Sequence, residues 1–193
     1  MTSETLWYAG RATGAVCLVL FTAVVLLGIA VRLRTRLPGL PRFGTVALHR
    51  SLSLSATAFL ALHVALAVVD GYVDIGPADV LVPFVSDYRP LWLGLGTVAL
   101  DLMLAVLVTS LLRARLGPRA WRAVHRLAYV SWPVALVHGI GIGTDTGTGW
   151  MTWLTVCCLA AVATAVGIRL AHSARAARRT PAELLRTAEG ARS

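Results

Sequence analysis

His49 to His63 reads HRSLSLSATAFLALH, two imidazoles closing a stretch that is otherwise apolar or small. The surrounding run from Val46 to Val69 is long enough to cross a hydrocarbon core as a helix, which takes about 20 residues. An ionisable ring inside such a span is costly, and its presence marks a candidate functional residue. The pairing recurs at His125 and His138, in the run from Trp121 to Gly139. Four of the five histidines therefore fall in two apolar segments, and the chain is to be read as a membrane protein first.

The rest of the 193 residues agree. The sequence is 57 % hydrophobic and 14 % charged, far more apolar than a soluble domain of this length. Five runs are long enough to span: about 13–31, 46–69, 91–112, 121–139 and 150–168. The expected architecture is an all-α bundle of five transmembrane helices occupying residues 1–170, followed by a basic tail at 171–193. All 18 basic residues are arginine, and 16 of them follow helix 1, separate helices 3 and 4, or lie in the tail. Cytoplasmic loops retain positive charge, so the N-terminus is expected outside and the tail inside, in a cell membrane of bacterial type. Arginine spread along loops suits anionic lipid headgroups and not nucleic acid. The basic residues of helix 1 follow its apolar run, unlike those of a cleaved signal, so that helix is expected to remain. Thr180, Pro181 and Glu183 have the spacing of a capping box and predict a short tail helix beginning at Thr180.

Cys17, Cys157 and Cys158 lie within spans and form neither a disulfide framework nor a zinc motif. No C-x-x-C-H string occurs, which excludes covalent attachment of a c-type haem. The glycine- and threonine-rich stretch GIGTDTGTGW has no lysine for a phosphate loop and reads as a turn. The acidic connection between helices 2 and 3 carries apolar residues and is expected to fold back over the mouth of the bundle. Asp101, near the middle of helix 3, is expected to accept a hydrogen bond from a Ser or Thr, ahead of a role in proton transfer.

The histidine spacing discriminates between ligands. At 1.5 Å per residue, His49 and His63 are separated by about 20 Å along the helix, and His125 and His138 by nearly as much. A single zinc or copper ion cannot use both histidines of one helix. One histidine from each helix at the same level can instead clamp a planar macrocycle, giving a haem with two axial imidazoles, and two levels give two stacked b haems. His49 and His125 make the inner pair, His63 and His138 the outer. Fourteen residues bring His49 and His63 nearly onto one face, whereas thirteen misalign His125 and His138. Pro133 lies between the latter two, and a bend near it is expected to restore the alignment.

In these residues the sequence resembles the ferric reductase-like transmembrane family, which includes the membrane parts of NADPH oxidases and iron reductases and the haem subunit of bacterial methionine sulfoxide reductase. The shared pattern is His-x13-His on one helix and His-x12-His two spans later. The resemblance implies electron transfer through two b haems from a cytoplasmic donor to an outer acceptor. It also implies that Arg11, in WYAGRATG, lies near the outer haem as a partner for a propionate or an outer substrate. Trp132, between the two levels, is a further candidate for the haem environment. Relatives often carry a C-terminal FAD and NAD(P)H domain, whereas about 25 residues follow helix 5 here. The expected oxidoreductase component thus draws on a flavoprotein, a loosely bound flavin or membrane quinol. It reduces Fe(III) or another outer oxidant, or it serves a separate outer reductase. A haem-free scaffold or transporter is the reading from a different class.

Overall fold

The computed structural model describes residues 3–35, 39, 41–70, 73–143 and 147–190. These form α1 (Ser3–Leu33), α2 (Arg42–Val69), α3 (Pro77–Leu81), α4 (Pro90–Leu111), α5 (Arg113–His125), α6 (Ala128–Ile142) and α7 (Gly149–Gly190). Four segments are long and apolar enough to cross a membrane: Glu4–Leu33, Phe43–Val69, Pro90–Leu111 and Gly149–Ala177. The glycine- and threonine-rich turn at 144–146 lies outside the described residues, as does most of the basic turn between α1 and α2.

The span expected at 121–139 is built differently from the other four. Gly117 adopts φ +74°, ψ 164° inside α5, a conformation that a Cβ disfavours. Pro118 follows and starts a new helical stretch, where its missing N–H costs nothing. That stretch reaches His125, and α6 continues from Ala128 with 15 residues, about 22 Å and too short to span alone. The interruption between them falls at Arg126 and Leu127, about a turn and a half before Pro133, and not at the proline where the sequence suggested a bend. Leu127, Tyr129 and Val130 donate to carbonyls three residues back, and Arg126 and Leu127 have ψ of −18° and −21°. This is a tightened 3₁₀ turn. It advances each residue by about 20° more than an α-helix and so recovers roughly 60° of the roughly 140° by which thirteen residues misphase His125 and His138.

Helix α1 is the centre of the packing. It lies along α2 and also meets α6 and α7, while α4 packs on α6 and carries α3 and α5. The helix that carries His49 and His63, α2, shares no packing of comparable extent with α5 and α6, which carry His125 and His138. The core gathers Trp132 and Leu136 of α6 with Cys158 and Val162 of α7, flanked by Leu18, Phe21, Val25 and Leu26 of α1. Two adjacent residues tie α6 to its neighbours. Ser131 donates its hydroxyl to the Ala99 carbonyl of α4 at 3.1 Å, and Trp132 donates its indole N–H to the Thr22 hydroxyl of α1 at 3.1 Å. Nothing else in a hydrocarbon environment can satisfy such groups.

Two further expectations change. The tail does not begin a separate helix at Thr180, because α7 runs unbroken to Gly190. The acidic connection does fold back, but along α4: the Asp79 carbonyl of α3 accepts the Thr97 hydroxyl at 2.8 Å. We expect Ser131→Ala and Trp132→Phe each to cost about 1 kcal/mol, the usual size of an interhelical hydrogen bond in a membrane protein. Denaturant titration of the detergent-solubilised chain would show each as a lowered unfolding midpoint.

Candidate functional site

Each of three histidines reaches a backbone carbonyl of the neighbouring helix. His49 Nδ1 lies 3.2 Å from the Val24 oxygen of α1, His63 Nδ1 2.9 Å from the Gly10 oxygen of α1, and His138 Nδ1 2.7 Å from the Trp92 oxygen of α4. A carbonyl can only accept, so each bond requires the proton on Nδ1. The neutral ring then leaves its Nε2 lone pair free. Metal-ligating histidines usually have this outer partner, which sets both tautomer and ring orientation.

A glycine stands four residues beyond each of these carbonyls: Gly14 after Gly10, Gly28 after Val24, Gly96 after Trp92. Helical side chains lean toward the N-terminus and cover the turn before them, so a glycine at i+4 uncovers the carbonyl of residue i. A Cβ on Gly96 would stand 2.6 Å from His138 Cε1, and one on Gly14 3.1 Å from His63 Cε1. At Gly28 the distance to His49 is an ordinary 3.5 Å. The two glycines of α1 are fourteen residues apart, like the two histidines of α2 that they face.

His125 is held in another way. Its Nδ1 is buried with no hydrogen-bond partner, and its ring stacks on Trp121 with centroids 5.0 Å apart and planes at 27°. Trp121 donates its indole N–H to the Ser110 hydroxyl of α4 at 3.4 Å. Ser110 is fourteen residues beyond Gly96, the place where the repeat of α1 would put a second glycine.

One pair of histidines meets across helices. The His49 and His125 rings face one another with centroids 6.4 Å apart and planes at 72°. Among the described residues no three His, Cys, Asp or Glu side chains gather into a metal site, so the histidines meet only in twos.

The other candidates separate. The Arg11 guanidinium lies over the Trp7 ring at 4.0 Å, one residue after the carbonyl that holds His63. Trp132 is buried in the α1–α6–α7 core. His172 is exposed on the far part of α7. Asp101 is half-buried and, among the described residues, takes no hydrogen bond from a Ser or Thr, contrary to expectation. Sequence reasoning missed Gly14, Gly28, Gly96, Trp92 and Trp121. The matching fourteen-residue spacings of Gly14 and Gly28 and of His49 and His63 were a readable signal, as was Trp121 one turn before His125.

The fold and site thus define a polytopic α-helical membrane protein with histidines held at its helix interfaces. Residues 13–136 match the family model of the ferric reductase like transmembrane component, and the chain belongs to that family. Transmembrane electron transfer is the activity to which this family points. No curated protein and no solved structure gave a significant match.

Gly96→Ala is expected to push the His138 ring off the Trp92 carbonyl, whereas Gly28→Ala leaves His49 in place. Imidazole ¹⁵N spectra of histidine-labelled protein would show one Nδ1–H tautomer signal lost in the first variant and none in the second.

Proposed function

We propose that this chain conducts electrons across the bilayer on two b haems, one held by His49 and His125 and the other by His63 and His138. The separation of the His49 and His125 rings carries the reading. With a metal–nitrogen bond of about 2 Å and ring nitrogens about 1 Å from their centroids, two imidazoles on one iron stand roughly 6 Å apart. The observed 6.4 Å agrees with that, and the Nδ1–H bonds of His49, His63 and His138 leave Nε2 for the metal.

A b haem between two imidazoles supplies a one-electron iron couple. The protein's part is to hold and insulate it. The carbonyls of Val24, Gly10 and Trp92 fix the ligand rings and raise their basicity. Trp132 keeps water from the middle of the bundle, where it packs between the two depths. Arg11, at the level of His63, offers positive charge to a propionate or to an anionic acceptor. The α5–α6 segment serves as the fifth span, and the arginine distribution puts the His49–His125 level on the cytoplasmic side. Electrons enter there from a flavoprotein or from membrane quinol and leave outside to Fe(III) or to a separate reductase.

The test is the dithionite-reduced minus oxidised visible spectrum of purified protein, with haem counted per chain. We expect two low-spin b haems in the wild type and the loss of about one in each of His63→Ala and His125→Ala. A wild type without haem bands, after expression with ample haem, would overturn the proposal in favour of a haem-free scaffold or transporter.

A further inference from the structure

The arginine-rich ends of α1 and α2 enclose a second feature, independent of the histidine pairs. A cavity of about 230 Å³ is lined by Ala30, Val31, Arg34, Thr35, Thr45 and Val46. The Thr45 side chain is 3 % exposed, and its hydroxyl has no hydrogen-bond partner among the described residues. This is unusual within the chain. Thr22, Ser53, Thr57 and Thr109 all return their hydroxyls to the carbonyl one turn back, whereas the Pro41 carbonyl one turn before Thr45 accepts the Thr45 N–H but not its hydroxyl. A buried hydroxyl left unmet is costly.

Arg34 is also unusual. Helix α1 ends in a Schellman motif, in which Thr35 N–H donates to the Ala30 carbonyl at 3.1 Å and Arg34 N–H to the Val31 carbonyl at 3.2 Å. The residue at the left-handed position of that motif is normally glycine. Here it is Arg34, at φ +57°, so a strained backbone places an arginine at the cavity wall. Across from it α2 begins at Pro41 with no side-chain cap, which leaves the partial positive charge of a helix N-terminus uncompensated.

An arginine and a threonine with an unmet hydroxyl line one cavity in the first turns of α2, a set that suits an oxyanion. The remaining wall is apolar, formed by Ala30, Val31 and Val46, and the cavity is smaller than the roughly 300–1,000 Å³ typical of sites that enclose a whole small molecule. It fits a headgroup with its chains left outside. We propose that this cavity binds the phosphodiester of an anionic membrane lipid, with Arg34 and Thr45 as its ligands. Basic pockets between helices at a membrane surface are suited to such headgroups.

Native mass spectrometry of the full chain in detergent tests this, with dioctanoyl phosphatidylglycerol as the lipid and glycerol 3-phosphate as the phosphate without chains. The expected result is a lipid adduct weakened about tenfold or more by Arg34→Gly and by Thr45→Val, and retained by Thr45→Ser, since hydrogen bonds to a charged group are the strong ones. Arg34→Gly relieves the left-handed strain and so keeps or raises the unfolding midpoint, which separates lost binding from lost folding. Lipid binding that is absent in the wild type, or unchanged in both weakened variants, would overturn the proposal. Glycerol 3-phosphate binding as tightly as the lipid would overturn the lipid assignment in favour of a soluble phosphate ester.

Discussion

The site rests on backbone carbonyls that a neighbouring helix can reach. A helical carbonyl already accepts one bond from the N–H four residues on, and the side chain at that same position ordinarily shields it. Glycine at i+4 removes the shield. Val24 with Gly28, Gly10 with Gly14 and Trp92 with Gly96 repeat this arrangement three times. In a hydrocarbon surrounding the imidazole N–H has few other acceptors, so the same contact holds the ring and satisfies its polar edge. Each such bond also draws its two helices together, α1 to α2 and α4 to α6.

At the fourth histidine the glycine is missing. Ser110 stands where the repeat would have one, and its hydroxyl engages the indole of Trp121, which stacks on His125. His125 is positioned by a ring face and not by a hydrogen bond, and its Nδ1 stays unpaired. The surroundings of His125 are therefore chemically unlike those of the other three. Basicity at one imidazole nitrogen depends on the partner at the other, and His125 differs from the rest in that respect.

Helical phase governs the segment carrying His125 and His138. A spacing of thirteen suits an α-helix poorly, and the chain meets it by tightening one turn at Arg126 and Leu127. Gly117 and Pro118 reset the helix just upstream, so the segment enters at an angle set by its own backbone. The arginine-rich end then combines the Arg34 cap of α1 with the uncapped start of α2, and both features favour an anion at the membrane surface.

The sequence alone determined that the chain spans a membrane and how far apart its histidines stand along their segments, because hydropathy and a rise of 1.5 Å per residue are local properties. It also held the spacing of Gly14 and Gly28, but that spacing acquires meaning only once α1 lies against α2. What the tertiary structure decided was how each ring is held: the carbonyls of Gly10, Val24 and Trp92, and the stack of Trp121. These depend on which helix faces which, and no residue's neighbours across an interface are encoded in its own periodicity. The tightened turn at Arg126 and Leu127, upstream of the bend expected near Pro133, is likewise a tertiary feature. A proline removes one hydrogen bond wherever it sits, but where the helix yields is decided by the contacts on either side, and Ser131 and Trp132 pin α6 to α4 and α1 just before it.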